Sequence, residues 1–438
     1  MGRSALDSGP EVWVVDGLRT PFAKSGAQLK DMKALALGVP LLRDLIYRTG
    51  IKPSEIDEVV IGNTGSPEDA ANIARVIALE AGVPKEVPAY TVHRNCASAM
   101  EAVAQGFLKI KAGVADVVAV GGTESMSNMP LIFGKEMTGL FSDLMRAKSV
   151  PEKLVAASKF RPQFLKPIIA IQEGLTDPVC GLNMGQTAEL IGREAGVTRE
   201  DMDRFALRSH ERAIRATESG RLKKEILPIA LAPKYTTFLT EDVGPRKGLS
   251  MEALGKLKPF FDRRNGVVTV GNSCPITDGA CLLLLMSAEK AKSLGITKPL
   301  GKIRSVAFAA LEPERMGLGP VYSTPKALDQ AGITMKDVGL VELNEAFSAQ
   351  VLACQRAFES KRFAQEKLGR SEAIGEISDD ILNGNGGAIA LGHPVGATGA
   401  RLVLTALKEM QERPHVQFAL ATLCIGGGQG GSVIVERV

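Results

Sequence analysis

Two cysteines and one histidine stand where their side chains could do covalent chemistry. Cys96 lies in HRNCASAMEAVAQGFLKIKAG (93–113), where a strand, AYTVHR, gives way to an amphipathic helix. A thiol at a helix start feels the partial positive charge of amides that lack intrahelical partners, which lowers its pKa and favours the nucleophilic thiolate. The small residues Ala97, Ser98 and Ala99 leave room for a ligand. The same position also suits a buried, inert cysteine, the common fate of a free thiol. His393, one of four histidines, sits in NGNGGAIALGHPVGATGARLVLTAL (383–407). So constrained a loop fixes the ring, as a base or an oxyanion donor requires, although a histidine merely packed in a turn fits it too. Cys424 closes a strand in ATLCIGGGQGGSVIVE (421–436). The glycine run behind it, with Gly426, can offer N–H groups to an oxyanion and let a thioester approach. Asn344 and Glu345 end a further strand in VELNEAFSAQ (341–350), and strand ends facing a crevice are where α/β proteins hold ligands.

The elements that must position these residues follow from periodicity. EVWVVDG (11–17), EVVIGN (58–63) and ADVVAVGG (115–122) read as strands, and 31–50 as an amphipathic helix closed by Gly50. Apolar strands interleaved with helices predict an α/β class with a mostly parallel sheet covered on both faces. RTGIKPSEIDEVVIGN (48–63) parallels QAGITMKDVGLVELNE (330–345) at one constant offset, pairing Gly50 with Gly332 and Ile56 with Val338. A helical stretch and ADVVAVGG then recur as a helical stretch and FALATLCIGGG (418–428). The echo predicts a duplicated domain.

The halves are expected at 1–124, completed by about 247–295, and at 296–438, with an inserted loop domain at 125–246. Within the insert, Thr198-Arg-Glu-Asp reads as a capping box opening a helix to about Gly220. Residues 357–380 read as a charged surface insertion. A chain of 438 residues exceeds one compact core, so more than one domain fits its length. A net charge of +4 is too small for a nucleic-acid binder, and six cysteines without CxxC spacing argue against a zinc site or a disulfide framework. No signal, transit or membrane-spanning segment is visible, which gives a cytoplasmic expectation.

Together these residues resemble the thiolase family. NCASAM around Cys96, GGTESMSNMP (121–130), NEAF (344–347), GHPVGATG (392–399) and CIGGGQG (424–430) carry the resemblance, with RTPF, NIAR, NMGQTAE and GNSCPITDGA matching in order along nearly the whole chain. It implies two similar βαβαβαββ halves stacked in five layers, with the inserted loop domain over a coenzyme A site. It implies that Cys96 is acylated by a 3-ketoacyl-CoA and thiolysed by CoA, and that His393 takes the Cys96 proton. Cys424 then serves the enolate of acetyl-CoA, Asn344 holds an oxyanion water, and the N–H groups of Cys96 and Gly426 form a second oxyanion hole. For CoA it points to Met184, Arg246 and Cys274. The family usually has serine at Cys274, often serine at Ala253 and often histidine at Asn183. No metal or prosthetic group is implied, since CoA is a substrate.

Three other readings stand beside a degradative 3-ketoacyl-CoA thiolase of β-oxidation. A biosynthetic acetoacetyl-CoA thiolase shares every catalytic motif. A ketoacyl-synthase type of condensing enzyme would use two histidines rather than a second cysteine. A non-catalytic thiolase-like binding protein would be expected to lose Cys96, His393 or Cys424. Extra residues at 130–180 and 355–383 resemble the thiolase subunit of trifunctional β-oxidation complexes, although those typically carry HEAF where this chain has NEAF. The family implies a homodimer or homotetramer. Within 135–166, seven basic residues face three acidic ones, and Met137, Leu140, Phe141, Leu144 and Met145 recur at helical spacing. That face packs on the protein's own body or docks a partner subunit or a membrane surface.

Overall fold

The computed structural model describes residues 9–438. Residues 1–8, part of the segment read above as free of targeting features, lie outside the described residues. Ten strands form one continuous sheet. Its N-terminal arm runs, from the centre outward, Val12–Arg19, Thr277–Ser287, Val117–Ser125, Glu58–Gly62 and Ala89–Val92. The other arm runs Gly301–Ala310, Gln429–Glu436, Phe418–Ile425 and Val338–Leu343, and Leu382 bridges Val341 where a fifth strand would lie. The arms meet edge to edge through three residue pairs, Val12 with Ile303, Trp13 with Lys302 and Val14 with Gly301. The short strand Ala23–Lys24 pairs with Thr277–Ser287.

The sequence echo is visible residue by residue. Gly50 and Gly332 each end a helix in the left-handed region, with φ of 67° and 72°. A short turn of helix follows each, Pro53–Glu55 and Met335–Asp337, and each leads into a strand, Glu58–Gly62 and Val338–Leu343. One expectation is corrected. The sheet is mixed, because Thr277–Ser287 runs antiparallel to both its neighbours and Phe418–Ile425 returns through a tight glycine turn into Gln429–Glu436. Parallel pairing is confined to the outer strands of each arm.

Period-2 alternation separates the layers. Along Thr277–Ser287, Leu282, Leu284 and Met286 join the helices Ala34–Thr49 and Ile73–Glu80 on one face. Cys281, Leu283 and Leu285 face the opposite way, into a core shared with the helices Ser98–Lys111 and Thr398–Glu412. That central core also receives Ala419, Ala421 and Leu423 from the second arm, whose outer face is covered by Gly319–Ala331 and Ser348–Glu359. The result is helix, sheet, helix, sheet, helix: five layers. Every residue of Thr277–Ser287 is buried, which explains its unbroken LLLL run.

The excursion between Val117–Ser125 and Thr277–Ser287 holds two small hairpins and several helices. Leu131–Phe133 pairs with Pro167–Ile169, and the basic tract between them forms helices Lys135–Arg146 and Val150–Ser158. Met137 and Leu140 are buried, whereas Phe141 and Met145 from the same apolar face are exposed. Thr198 caps the helix Arg199–Glu218 in a reciprocal box with Asp201, as its spacing predicts. The charged stretch after residue 357 forms the helix Lys361–Leu368, largely exposed. No helix among the described residues is long and apolar enough to cross a membrane.

Candidate active site

Cys96 stands two residues before the helix Ser98–Lys111, at the end of the strand Ala89–Val92. The preceding residue, Asn95, has φ of 44°, a conformation that asparagine tolerates better than most side chains. Asn95 donates from Nδ2 to the carbonyl of Gly426 at 2.8 Å, which ties the cysteine turn to the glycine turn of the second half. The backbone N–H groups of Gly426 and of Cys96 itself favour the charged form of the Cys96 thiol. The glycine turn also carries Gly427 and Gly428 at φ of 85° and 75°. A side chain at Gly426 would lie 3.4 Å from the Met184 sulfur, so Met184 borders the same space.

The expectation of a lowered Cys96 pKa is overturned. Burial raises the thiol above its ordinary value, and the two N–H donors offset only part of this. Cys96 therefore rests as a thiol, and any role as a nucleophile would require a base. Cys424, buried at the end of Phe418–Ile425, is pushed well above its usual value, first by burial and then by Cys96. Cys274 is pushed up to about 12 by the same two causes. The three thiols thus share one neighbourhood. The Cys274 N–H donates to the Ala346 carbonyl at 3.0 Å, which seats it beside the NEAF segment.

His393 has the protonation state and the free ring nitrogen that a base requires. Its backbone N–H donates to Thr277 Oγ1 at 3.1 Å, and the residue bridges Ile276, one strand-start away from Cys274. Its Nδ1 lies 2.6 Å from Thr398 Oγ1, whose own hydrogen goes to the Pro394 carbonyl at 2.9 Å. A hydroxyl has one hydrogen, so Nδ1 carries the ring proton and Nε2 keeps a bare lone pair. Nε2 is buried without a partner. Burial, and then Arg401, hold the imidazole down at about 3, so it is neutral and able to accept a proton.

Asn344 is fully buried, and both polar atoms of its side chain lack partners. Its N–H donates to the Thr422 carbonyl at 3.0 Å, two residues before Cys424. Buried polar groups are normally satisfied, so Asn344 and His393 Nε2 keep hydrogen-bonding capacity that a substrate oxygen could use.

Asn183 caps the helix Met184–Glu194 in a reciprocal box with Gln186, so the departure from histidine leaves that helix start intact. Arg246 is exposed and tied to the site indirectly, its N–H donating to His210 Nδ1 at 3.2 Å. The sequence reading missed Thr398, Asn95 and Glu124. Glu124 takes N–H groups from Thr64, Gly65 and Gly396 and so pins the loop after His393. Thr398 lay five residues past His393 in the same glycine-rich loop. Glu124 gave a weaker signal, a carboxylate near the end of a fully buried strand.

The family model for the thiolase N-terminal domain matches residues 12–289, and that for the thiolase C-terminal domain matches residues 297–437. The chain belongs to the thiolase family. It is 42% identical to a 3-ketoacyl-CoA thiolase of Pseudoalteromonas translucida over 98% of this chain and 97% of that one. A 3-ketoacyl-CoA thiolase of Serratia proteamaculans is also 42% identical, over 98% and 97%. Among solved structures, an acetyl-CoA acetyltransferase of Bacillus anthracis superimposes with a TM-score of 0.85 at 34% identity, covering 98% of this chain and 99% of that one. Human mitochondrial 3-ketoacyl-CoA thiolase in complex with CoA gives 0.84 at 32%, covering 98% of each. The fold expected from the resemblance is the fold observed in this thiolase.

Proposed function

We propose that this thiolase cleaves 3-ketoacyl-CoA with CoA, giving acyl-CoA and acetyl-CoA, and runs the reverse condensation through the same acyl-enzyme. The carrying observation is a buried, neutral histidine whose Nε2 is bare, in a fold that ties the Cys96 turn to the glycine turn after Cys424 through Asn95 and Gly426. His393 Nε2 takes the Cys96 proton as sulfur attacks the keto carbon. The bond between that carbon and the α-carbon then breaks. The electron pair leaves as the enolate of acetyl-CoA, whose oxygen is stabilised by His393 and an Asn344-held water, and Cys424 protonates its carbon. Free CoA, deprotonated by the Cys424 thiolate, attacks the Cys96 thioester; acyl-CoA forms, the Cys96 thiolate leaves, and His393 returns its proton to that sulfur. Thiols, imidazole and backbone N–H groups carry every proton and charge, so the scheme calls for no cofactor beyond the substrate CoA. The 42% identity to proteins named 3-ketoacyl-CoA thiolase favours the degradative reading over acetoacetyl-CoA synthesis. Cys96→Ala should abolish acyl labelling and turnover. Cys424→Ala should stop carbon–carbon cleavage while Cys96 still exchanges acyl groups with CoA; an acyl adduct on another cysteine would refute the scheme. Rates on ketoacyl-CoAs from C4 to C16 separate the two directions of use.

The reading extends to assembly. The strand Ala89–Val92 ends its arm half-buried, with one backbone edge open to a second copy, which supports a homodimer. The segment 131–168 carries eleven of the twenty-two exposed large apolar side chains among the described residues, including Met145, Val150 and Leu154. All seven of the basic residues in 135–166 are exposed beside them. Apolar tips ringed by cations match an anionic membrane surface, and that is the occupant proposed here over a partner subunit.

A further inference from the structure

We propose that Ser209 and His210, neighbours on the helix Arg199–Glu218, are positioning residues that set two different parts of the site. Ser209 sets the catalytic loops that carry Asn344 and His393, and His210 sets the CoA-side segment at Arg246. The assignment rests on the thiolase reading and adds to it a division of labour within the inserted helix. Consecutive helical residues point about 100° apart, so one element wedged between two loops can address both.

Ser209 is buried, and its hydroxyl is used in both senses. It donates to Glu345 Oε2 at 2.6 Å and accepts the Gly387 N–H at 3.1 Å. Glu345 is the residue after Asn344. Its carboxylate also accepts from Asn383 Nδ2 at 2.9 Å and from the Ile389 N–H at 3.2 Å, so it binds together the segment that leads into His393. The contact is close in the backbone too, since a Cβ at Gly386 would lie 2.7 Å from both the Ala213 Cβ and the Ser209 carbonyl. One hydroxyl therefore fixes the spacing between the Asn344 strand end and the His393 loop. Asn344 and His393, on those two segments, both carry buried polar atoms without partners.

His210, equally buried, turns the other way. Its Nδ1 accepts the Arg246 N–H at 3.2 Å, which anchors the backbone of the residue that resemblance places near the CoA nucleotide. About two turns earlier on the same helix, Asp203 accepts from Asn272 Nδ2 at 2.9 Å, two residues before Cys274. The helix is thus tied through Ser209 to the catalytic loops and through His210 and Asp203 to the CoA-side loops.

The test uses the full chain and thiolysis of acetoacetyl-CoA, with active sites counted by acyl labelling of Cys96. Ser209→Ala should lower kcat by roughly tenfold to a hundredfold and leave the KM for CoA within twofold, because misplacing reacting groups slows the chemical step. His210→Phe should raise the KM for CoA by about fivefold or more and keep kcat near that of the parent. Ser209→Ala combined with Glu345→Gln should be no worse than the poorer single variant, since both break one link. If the two single variants shift kcat and KM alike, or change only the melting temperature, the helix is a structural support and the assignment fails. A parent enzyme that neither labels at Cys96 nor cleaves substrate would instead refute the thiolase reading, and this inference with it.

Discussion

The hydroxyl of Thr398 sits 2.6 Å from His393 Nδ1 and 2.9 Å from the Pro394 carbonyl, and the second contact decides the direction of the first. With the hydroxyl hydrogen committed to Pro394, the imidazole must donate from Nδ1 and present Nε2 as an acceptor. Thr398→Val keeps the shape of this fully buried side chain and removes the orientation. It should cut the single-turnover rate of Cys96 acylation by on the order of 10²-fold, the lower end of what a positioned general base contributes. KM should change little. A variant that acylates at the parental rate would show that the tautomer is set elsewhere.

His393 held at about 3 also predicts the pH dependence of acylation. A free imidazole titrates near 6.5, whereas this one stays neutral through that range. Acylation should therefore stay flat as pH falls through about 6.5. An acid limb with its midpoint there would count against a pre-neutralised base.

The same logic gives a stability prediction at His210, held at about 4 by burial and then by Arg246. Between about 4 and 6.5 the unfolded chain binds a proton at this residue that the folded chain does not, so folding loses free energy as pH falls. Buried carboxylates pushed upward, such as Glu124 and Glu345, work in the opposite sense, so the effect is read as a difference. Relative to His210→Gln, the parent should lose up to about 3 kcal/mol across that window, at about 1.4 kcal/mol per pH unit. Urea unfolding at stepped pH measures it. A constant difference would contradict the sign.

Gly122 tests the packing of the two halves. A Cβ there would collide with the Gly396 carbonyl, in the loop three residues past His393. Gly122→Ala should cost on the order of 3 kcal/mol or more, or displace that loop and slow turnover. Gly139, inside the helix Lys135–Arg146 with nothing near its missing side chain, makes the contrast. Gly139→Ala should gain about 0.5–1 kcal/mol of helix propensity. Thermal melts and turnover of the pair report both; a harmless Gly122→Ala would mean that the halves tolerate a wider gap.

The membrane proposal predicts a separation of functions. Lys135→Glu, Lys148→Glu and Lys153→Glu together should weaken binding to phosphatidylserine-containing vesicles tenfold or more, at about 1 kcal/mol per charge, and leave turnover on acetoacetyl-CoA nearly unchanged. Lys159 is spared because it already pairs with Asp143 at 2.8 Å. Vesicle binding that is unaffected, or capture of a partner subunit by vesicle-free protein, would move the occupant from lipid to protein.

Local signals carried much of this molecule. Gly50 and Gly332 announced the duplication because a left-handed helix end needs a residue without a Cβ, and that requirement survives in the letter itself. Thr198 and Asp201 announced a helix start for the same reason, since a cap is a contact across three residues. Sheet direction was not legible. Whether Thr277–Ser287 runs with or against Val117–Ser125 depends on where a long excursion re-enters. The resting state of Cys96 was misread because the helix-start argument counts nearby amides and ignores burial, the larger cause. Ser209 and Glu345 are 136 positions apart and meet only in the folded chain, so neither carried a local mark.

The placement of Thr277–Ser287 between Val12–Arg19 and Val117–Ser125 bears on how the chain leaves the ribosome. The first strand made has no neighbour within its own half until residues 277–287 emerge. At about 5–20 residues per second, residues 126–276 take roughly 8–30 s to synthesise. Throughout that interval Val117–Ser125 shows a nine-residue edge, apolar in its first half, with its hydrogen bonds unmet on one side, the state most exposed to off-pathway pairing. A nascent chain stalled at residue 276 should therefore recruit chaperones and resist compaction. One released past residue 287 can close the N-terminal arm in a single step, with one strand sealing two edges at once.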